Sequence, residues 1–117
     1  MAVIFLTDSP AKLLAEFDSR IKQTELKGKI TTWERDSDGD YTHKADDWKN
    51  KAWFKTVKGS DRLTFNIIAP KDKVIETVVY GYYHGHLVET FLNHFDSMFS
   101  NASASAGCTS ADRCGIK

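Results

Sequence analysis

The sequence predicts an α+β domain: an antiparallel or mixed sheet of about five strands with two helices packed on one face, in the order β-α-β-β-β-β-α. Three observations lead there. Apolar residues recur at helical spacing near both ends, in "SPAKLLAEFDSRIKQ" and "VVYGYYHGHLVETFLNHFDSMF". Two pairs of short alternating runs, one about Asp38-Gly39 and one about Gly59-Ser60, read as hairpins. An apolar run, "AVIFL", precedes the first helix.

That first run is apolar on both faces, which places it inside the sheet and not at its rim. The helix after it has its start signal written in: Ser9 in the capping position, Pro10 where a missing N–H costs nothing, and Leu13, Leu14, Phe17 and Ile21 on one face. Gly28 ends the helical run ahead of "KITTWER". In the first hairpin a three-residue loop, Ser37-Asp38-Gly39 with Gly39 left-handed, gathers Thr31, Trp33, Tyr41, His43 and Ala45 on one face. A two-residue loop would set Trp33 and Tyr41 on opposite faces. In the second hairpin a turn at Gly59-Ser60 sets Phe54 opposite Phe65 and Ala52 opposite Ile67. One face then carries Ala52, Phe54, Thr56, Leu63, Phe65 and Ile67. The other carries Trp53, Lys55, Val57, Arg62, Thr64, Asn66 and Ile68.

Residues 71–79 fit either a short edge strand or the first turns of the last helix. From Val78 to Phe99 the periodicity is helical, with Tyr80, His84, Leu87, Val88, Phe91, Phe95 and Met98 in one stripe and Tyr82, His86, Glu89, Asn93 and Asp96 opposite. Gly81 and Gly85 sit one turn apart beside the stripe and invite the close approach of another backbone. Residues 1–99 make a single domain. Residues 100–117, rich in serine and alanine, are expected to be a flexible tail.

At 117 residues, 41% hydrophobic and 27% charged, the chain can bury one core without metals or disulfides. Zero formal charge provides no global field for nucleic acid or an anionic membrane. "MAVIFLT" lacks a basic leader and is too short to span a bilayer, so a cytoplasmic location with no membrane partner is expected. Cys108 and Cys114 both lie in the tail and read as reduced, incidental thiols. No phosphate loop, dinucleotide fingerprint, serine elbow or cysteine nucleophile occurs in the folded part, so no cofactor is expected.

Three places invite chemistry. His84 falls near the centre of the buried stripe, beside Tyr80. It reads as a neutral imidazole bonded to backbone or a tyrosine hydroxyl, or alternatively as a pocket base with Tyr80 as its neighbour. His86 reads as a surface residue. Asp36, Asp38 and Asp40 alternate like the start of a calcium loop, but Tyr41 stands where glycine is needed and Asp47 where a bidentate glutamate is needed. A tight turn explains these aspartates better, and no metal is assigned. The outer face of the second hairpin, with Trp53, Lys55, Val57, Arg62, Asn66 and Ile68, has the composition of a contact surface.

The expectation is therefore a small protein-binding or self-associating module, a homodimer or a partner-binding domain, and not an enzyme. One competing reading is a small hydrolase-type enzyme built on His84 with Tyr80 or the acidic loop. The other is a nucleotide or single-stranded nucleic-acid binder that stacks bases on Trp53, which the absence of net positive charge argues against.

Overall fold

A computed structural model describes residues 3–115. Among the described residues there are six strands and two helices: β1 (Val3–Leu6), α1 (Pro10–Lys22), β2 (Trp33–Arg35), β3 (Tyr41–His43), β4 (Trp53–Lys58), β5 (Arg62–Ile68), α2 (Thr77–Phe95) and β6 (Asn101–Ala104). The strands form one antiparallel sheet in the order β2-β3-β4-β5-β1-β6, and the fold class is α+β. β1 lies between β5 and β6, as its two-sided apolar pattern requires (Ala2 of the expected strand lies outside the described residues).

The sixth strand sits where the sequence marks the end of the domain. Asn101–Ala104 pairs along β1, with Val3 opposite Ala104 and Leu6 opposite Asn101. Strand propensity is poor in "NASA"; the open side of β1 supplies the hydrogen-bond partners that hold it there. The rest of the segment folds back. Arg113 makes a parallel bridge to Ile68 beyond the end of β1, and Cys108 and Cys114 are joined as a disulfide, contrary to the expectation of free thiols. The loop brings their Cα atoms to 6.3 Å, within bridging distance.

Both helices take one face. Phe17 of α1 packs on Tyr41 and Phe65, and Phe91 of α2 stacks on Phe5 at 4.2 Å and meets Phe17 and Phe65. The core between the layers is strongly aromatic, with Phe5, Phe17, Trp33, Tyr41, Phe54, Phe65, Tyr83, Phe91 and Phe95 all buried. Ser9 occupies the capping position of α1, but its hydroxyl caps nothing. Its own N–H instead donates to the Thr7 hydroxyl. The helix stops at Lys22, six residues short of Gly28, with Gln23 already extended.

The first hairpin has the expected three-residue loop. Trp33 faces His43, Arg35 faces Tyr41, and Gly39 has φ +86°. The second hairpin differs. Gly59 does not take a positive φ; its N–H donates to the Arg62 carbonyl, so the turn centres on Ser60-Asp61. Phe54 consequently faces Ile67, and Thr56 faces Phe65. The neighbouring strand sets this: Thr7, just past β1, donates to the Asp61 carbonyl and fixes where β5 begins. Because the slip is two residues, every side chain keeps its expected face.

In α2 the buried arc is turned toward Val79, Tyr83 and Thr90, which join His84, Leu87, Phe91 and Phe95. The ambiguous residues 71–76 are non-helical, and the helix starts at Thr77. Gly81 and Gly85 are exposed, and a Cβ on either would meet nothing within 4 Å. The close approach expected of them is therefore not made within the fold. Gly81→Ala and Gly85→Ala are each expected to raise unfolding free energy by about 0.5–1 kcal/mol, because alanine restricts the unfolded chain and clashes with nothing. Urea unfolding of the single variants and the double variant measures this. A loss of stability on either change would mean that something does pack there.

Candidate functional site

Alternation along β4 and β5 places the expected contact residues on the face that neither helix covers. Register extends that face across the sheet. Ile4 stands level with Thr64, Val57 and Ser103; Leu6 with Arg62 and Asn101; Lys55 with Asn66; and Trp53 with Ile68. Val57 is 51% exposed, and Lys55 and Ser103 are also exposed. Trp53, Ile68, Ile4 and Leu6 are half-buried. Thr64 and Asn66 differ from the rest: only 4% and 8% exposed, both are buried, and Asn66 keeps a buried Oδ1 without a hydrogen-bond partner.

The charges on this side are mixed. Asp40, just before β3, lies close enough to Lys55 and Arg113 for both cations to act on its carboxyl. Burial and the neighbouring Asp36 nevertheless raise the Asp40 pKa above the ordinary range, burial being the larger cause. Arg62 pairs with Asp61 at 3.0 Å in the open, an exposed contact of little consequence for stability.

The acidic loop is occupied with its own turn. Asp36 Oδ1 accepts the N–H groups of Asp38 and Asp40, both at 2.9 Å, and the Asp36 N–H donates to the Asp40 carbonyl. Among the described residues, no three His, Cys, Asp or Glu side chains are placed to hold a metal ion.

His84 is buried in the α2 stripe, and its ring stacks on Tyr80 at 3.7 Å. Its Nδ1 lies 2.6 Å from the Tyr80 carbonyl. A carbonyl only accepts, so Nδ1 carries the proton and Nε2 is left as a buried acceptor without a partner. Burial holds its pKa below the usual histidine range, against the opposing pull of the Tyr80 carbonyl and the Asp112 charge. The Tyr80 hydroxyl points to the C-terminal segment, within 2.9 and 2.7 Å of the Ser105 and Gly107 carbonyls. The two candidate groups therefore adjoin, but the polar end of Tyr80 is engaged elsewhere.

A second histidine pair was not singled out from sequence. His43, 1% exposed, meets His86 at 4.7 Å between ring centroids. His86 is half-buried rather than a surface group: it stacks on Tyr82, which stacks on Trp48 at 3.8 Å, and it packs against Trp33. His43, on the core face beside Trp33, and the Trp48–Tyr82 stack cover this side of α2. The Ala45 N–H donates to His43 Nδ1, so the ring proton is on Nε2, which has no partner. Burial, then the nearby His86, pushes its pKa down to about 4. Trp33 Nε1–H donates to Thr90 Oγ1, whose own hydroxyl donates to the His86 carbonyl, a fully satisfied chain through the layer. A groove of about 210 Å³ runs alongside, lined by Thr31, Thr32, His86, Glu89, Asn93 and His94. The signal for His43 was present in the first hairpin's register, which sets it beside Trp33. Trp48, in the unpatterned "ADDWKN", gave none.

No family model, curated protein or solved structure matches this chain. None of the described helices is long and apolar enough to cross a membrane.

Proposed function

We propose that this protein is a self-associating binding module whose contact surface is the helix-free face of its sheet. The observation that carries the reading is that both helices pack on the Phe5–Phe65 face, while Trp53, Val57, Ile68, Ile4 and Leu6 share the other. Six strands at ~4.8 Å spacing make a face about 25 Å wide, close to the edge of the ~800 Å² patch that each partner of a stable pair contributes. A second copy is the occupant that suits it. The face holds carboxylates (Glu34, Asp40) toward the β2 side and cations (Lys55, Arg62) along β4 and β5, so a two-fold axis can set unlike charges opposite one another. Zero net charge on the chain adds no long-range repulsion between copies.

The enzyme reading has less behind it, because the Tyr80 hydroxyl and the His84 Nδ1–H are both taken up by the chain's own carbonyls. We place the work of the protein in the cytoplasm, where a bridge such as Cys108–Cys114 would be transient and responsive to thiols.

Sedimentation equilibrium tests the proposal. Wild-type protein is expected to show a concentration-dependent dimer, and the Trp53→Ala, Ile68→Lys double variant a folded monomer, since the lysine places a charge within the contact. A wild-type protein that stays monomeric to millimolar concentration would sink self-association through this face.

A further inference from the structure

The C-terminal segment makes contacts that the open-face reading does not use. After β6 the chain passes Ser105-Ala106-Gly107, turns, and returns to the stretch of β5 that β1 leaves unpaired. There the Ile67 N–H donates to Asp112 Oδ1 at 3.0 Å, and the Arg113 N–H donates to the Ile67 carbonyl at 2.8 Å. The Ala69 N–H donates to the Arg113 carbonyl at 2.6 Å, and the Ile75 N–H to the Cys114 carbonyl at 2.9 Å. Within the loop, Asp112 Oδ2 accepts from the N–H and hydroxyl of Thr109 at 2.8 and 3.0 Å. The same segment receives the Tyr80 hydroxyl, and the Asp112 charge reaches His84. It therefore fastens the edge of β5, the approach to α2 and the Tyr80–His84 stack at once.

The bridge closes this loop on itself. Cys108 and Cys114 are six residues apart and enclose every group that docks on β5: Asp112, Arg113 and the Thr109 turn. Cys108 is exposed and Cys114 is half-buried against the core, so a small thiol can reach the bridge from outside. The loop docks through three backbone hydrogen bonds and one to the Asp112 carboxylate, with Cys114 the hydrophobic residue among the described ones of the loop that packs on the core, so it holds only if the loop is already shaped for it.

We propose that residues 108–114 form a redox-released strap: bridged, the loop is preshaped and pairs along the β5 edge and the approach to α2; reduced, it lets go while the sheet and helices remain. The reductant is a small dithiol. Its thiolate attacks one sulfur of the bridge to give a mixed disulfide, its second thiol displaces the other cysteine, and the dithiol leaves as a cyclic disulfide. Two electrons and two protons thereby pass to Cys108 and Cys114. Release leaves the Ile67 N–H, Ile67 carbonyl and Ala69 N–H without partners at an open sheet edge.

Amide hydrogen exchange read by NMR, with and without dithiothreitol, tests this. Reduction is expected to speed exchange of the Ile67, Ala69 and Ile75 amides at least tenfold, the scale on which closing so short a loop acts. The amides of the β1–β5 ladder should keep their rates, and the His84 ring resonances should shift. A Cys108→Ser, Cys114→Ser variant should show the reduced pattern without reductant. Unchanged rates at Ile67 and Ala69, with two free thiols confirmed by titration, would overturn the proposal. A loss of protection across the whole sheet would overturn it too, since the bridge would then hold the fold and not a strap.

Discussion

Phe91→Ala is expected to lower the free energy of unfolding by about 3–5 kcal/mol, a large fraction of the total stability of a domain of this size. Phe91 is where the layers meet. It stacks on Phe5 of β1, tilts against Phe17 of α1, sets its edge to Phe65 of β5, and touches Phe95 and Phe99 further along its own chain. Removing the ring takes away its transfer free energy and leaves a cavity walled by other rings, which have little freedom to close in. Phe91→Leu keeps most of the volume and should cost about 1–1.5 kcal/mol. Urea midpoints of both variants give the comparison. Equal losses would mean that the aromatic stack, rather than filled volume, holds the site.

Acid should weaken the fold well before its carboxylates are titrated. His43 is buried and neutral, with its pKa pushed down to about 4 from the usual 6.5, chiefly by burial and then by His86. His84 and His94 are also held below the usual range, each mainly by burial. In the unfolded chain all three take up a proton near pH 6.5, whereas the folded His43 does so only near pH 4. Between those values the unfolded state binds more protons, so stability is full above about pH 6.5, falls as pH drops, and levels off for this group below about pH 4. The His43 share is on the order of 2 kcal/mol, reduced from the full value of its shift because the adjoining His86 lines an open groove. Urea unfolding between pH 7.5 and 4.5 measures the slope, and His43→Asn isolates it, since asparagine can still accept the Ala45 N–H but does not titrate. A variant with the wild-type pH dependence would remove His43 from the account.

How much of this was legible in the chain depends on whether a signal was local. Alternation marked both faces of β4 and β5, and it survived a two-residue error in the turn because a strand repeats every two residues. The three-residue loop at Gly39 followed from the need to bring Trp33, Tyr41 and His43 together. The second turn could not be read, because a contact from Thr7, more than fifty residues earlier, positions Asp61. Burial of His86 was missed for the same reason: helical phase placed it opposite the stripe, and Trp33 and His43 from the first hairpin, with Tyr82 stacked under Trp48, cover it. The candidate face was visible as a pattern. The strap was not, because "CTSADRC" has no periodicity and its hydrogen-bond partners lie at the end of β5 and on the approach to α2.

The sequence by itself determined the types of the first five strands and both helices, the inner and outer faces of the strands, and the aromatic material of the core, since each depends on spacing along a few turns or a few residues. Only the tertiary structure decided the strand order, the recruitment of Asn101–Ala104 to the sheet, the rotation of the buried arc on α2, and the docking of the Cys108–Cys114 loop. In each of those cases an unfilled backbone partner or an uncovered ring elsewhere in the chain sets the outcome. A segment's own composition carries no record of that distant vacancy.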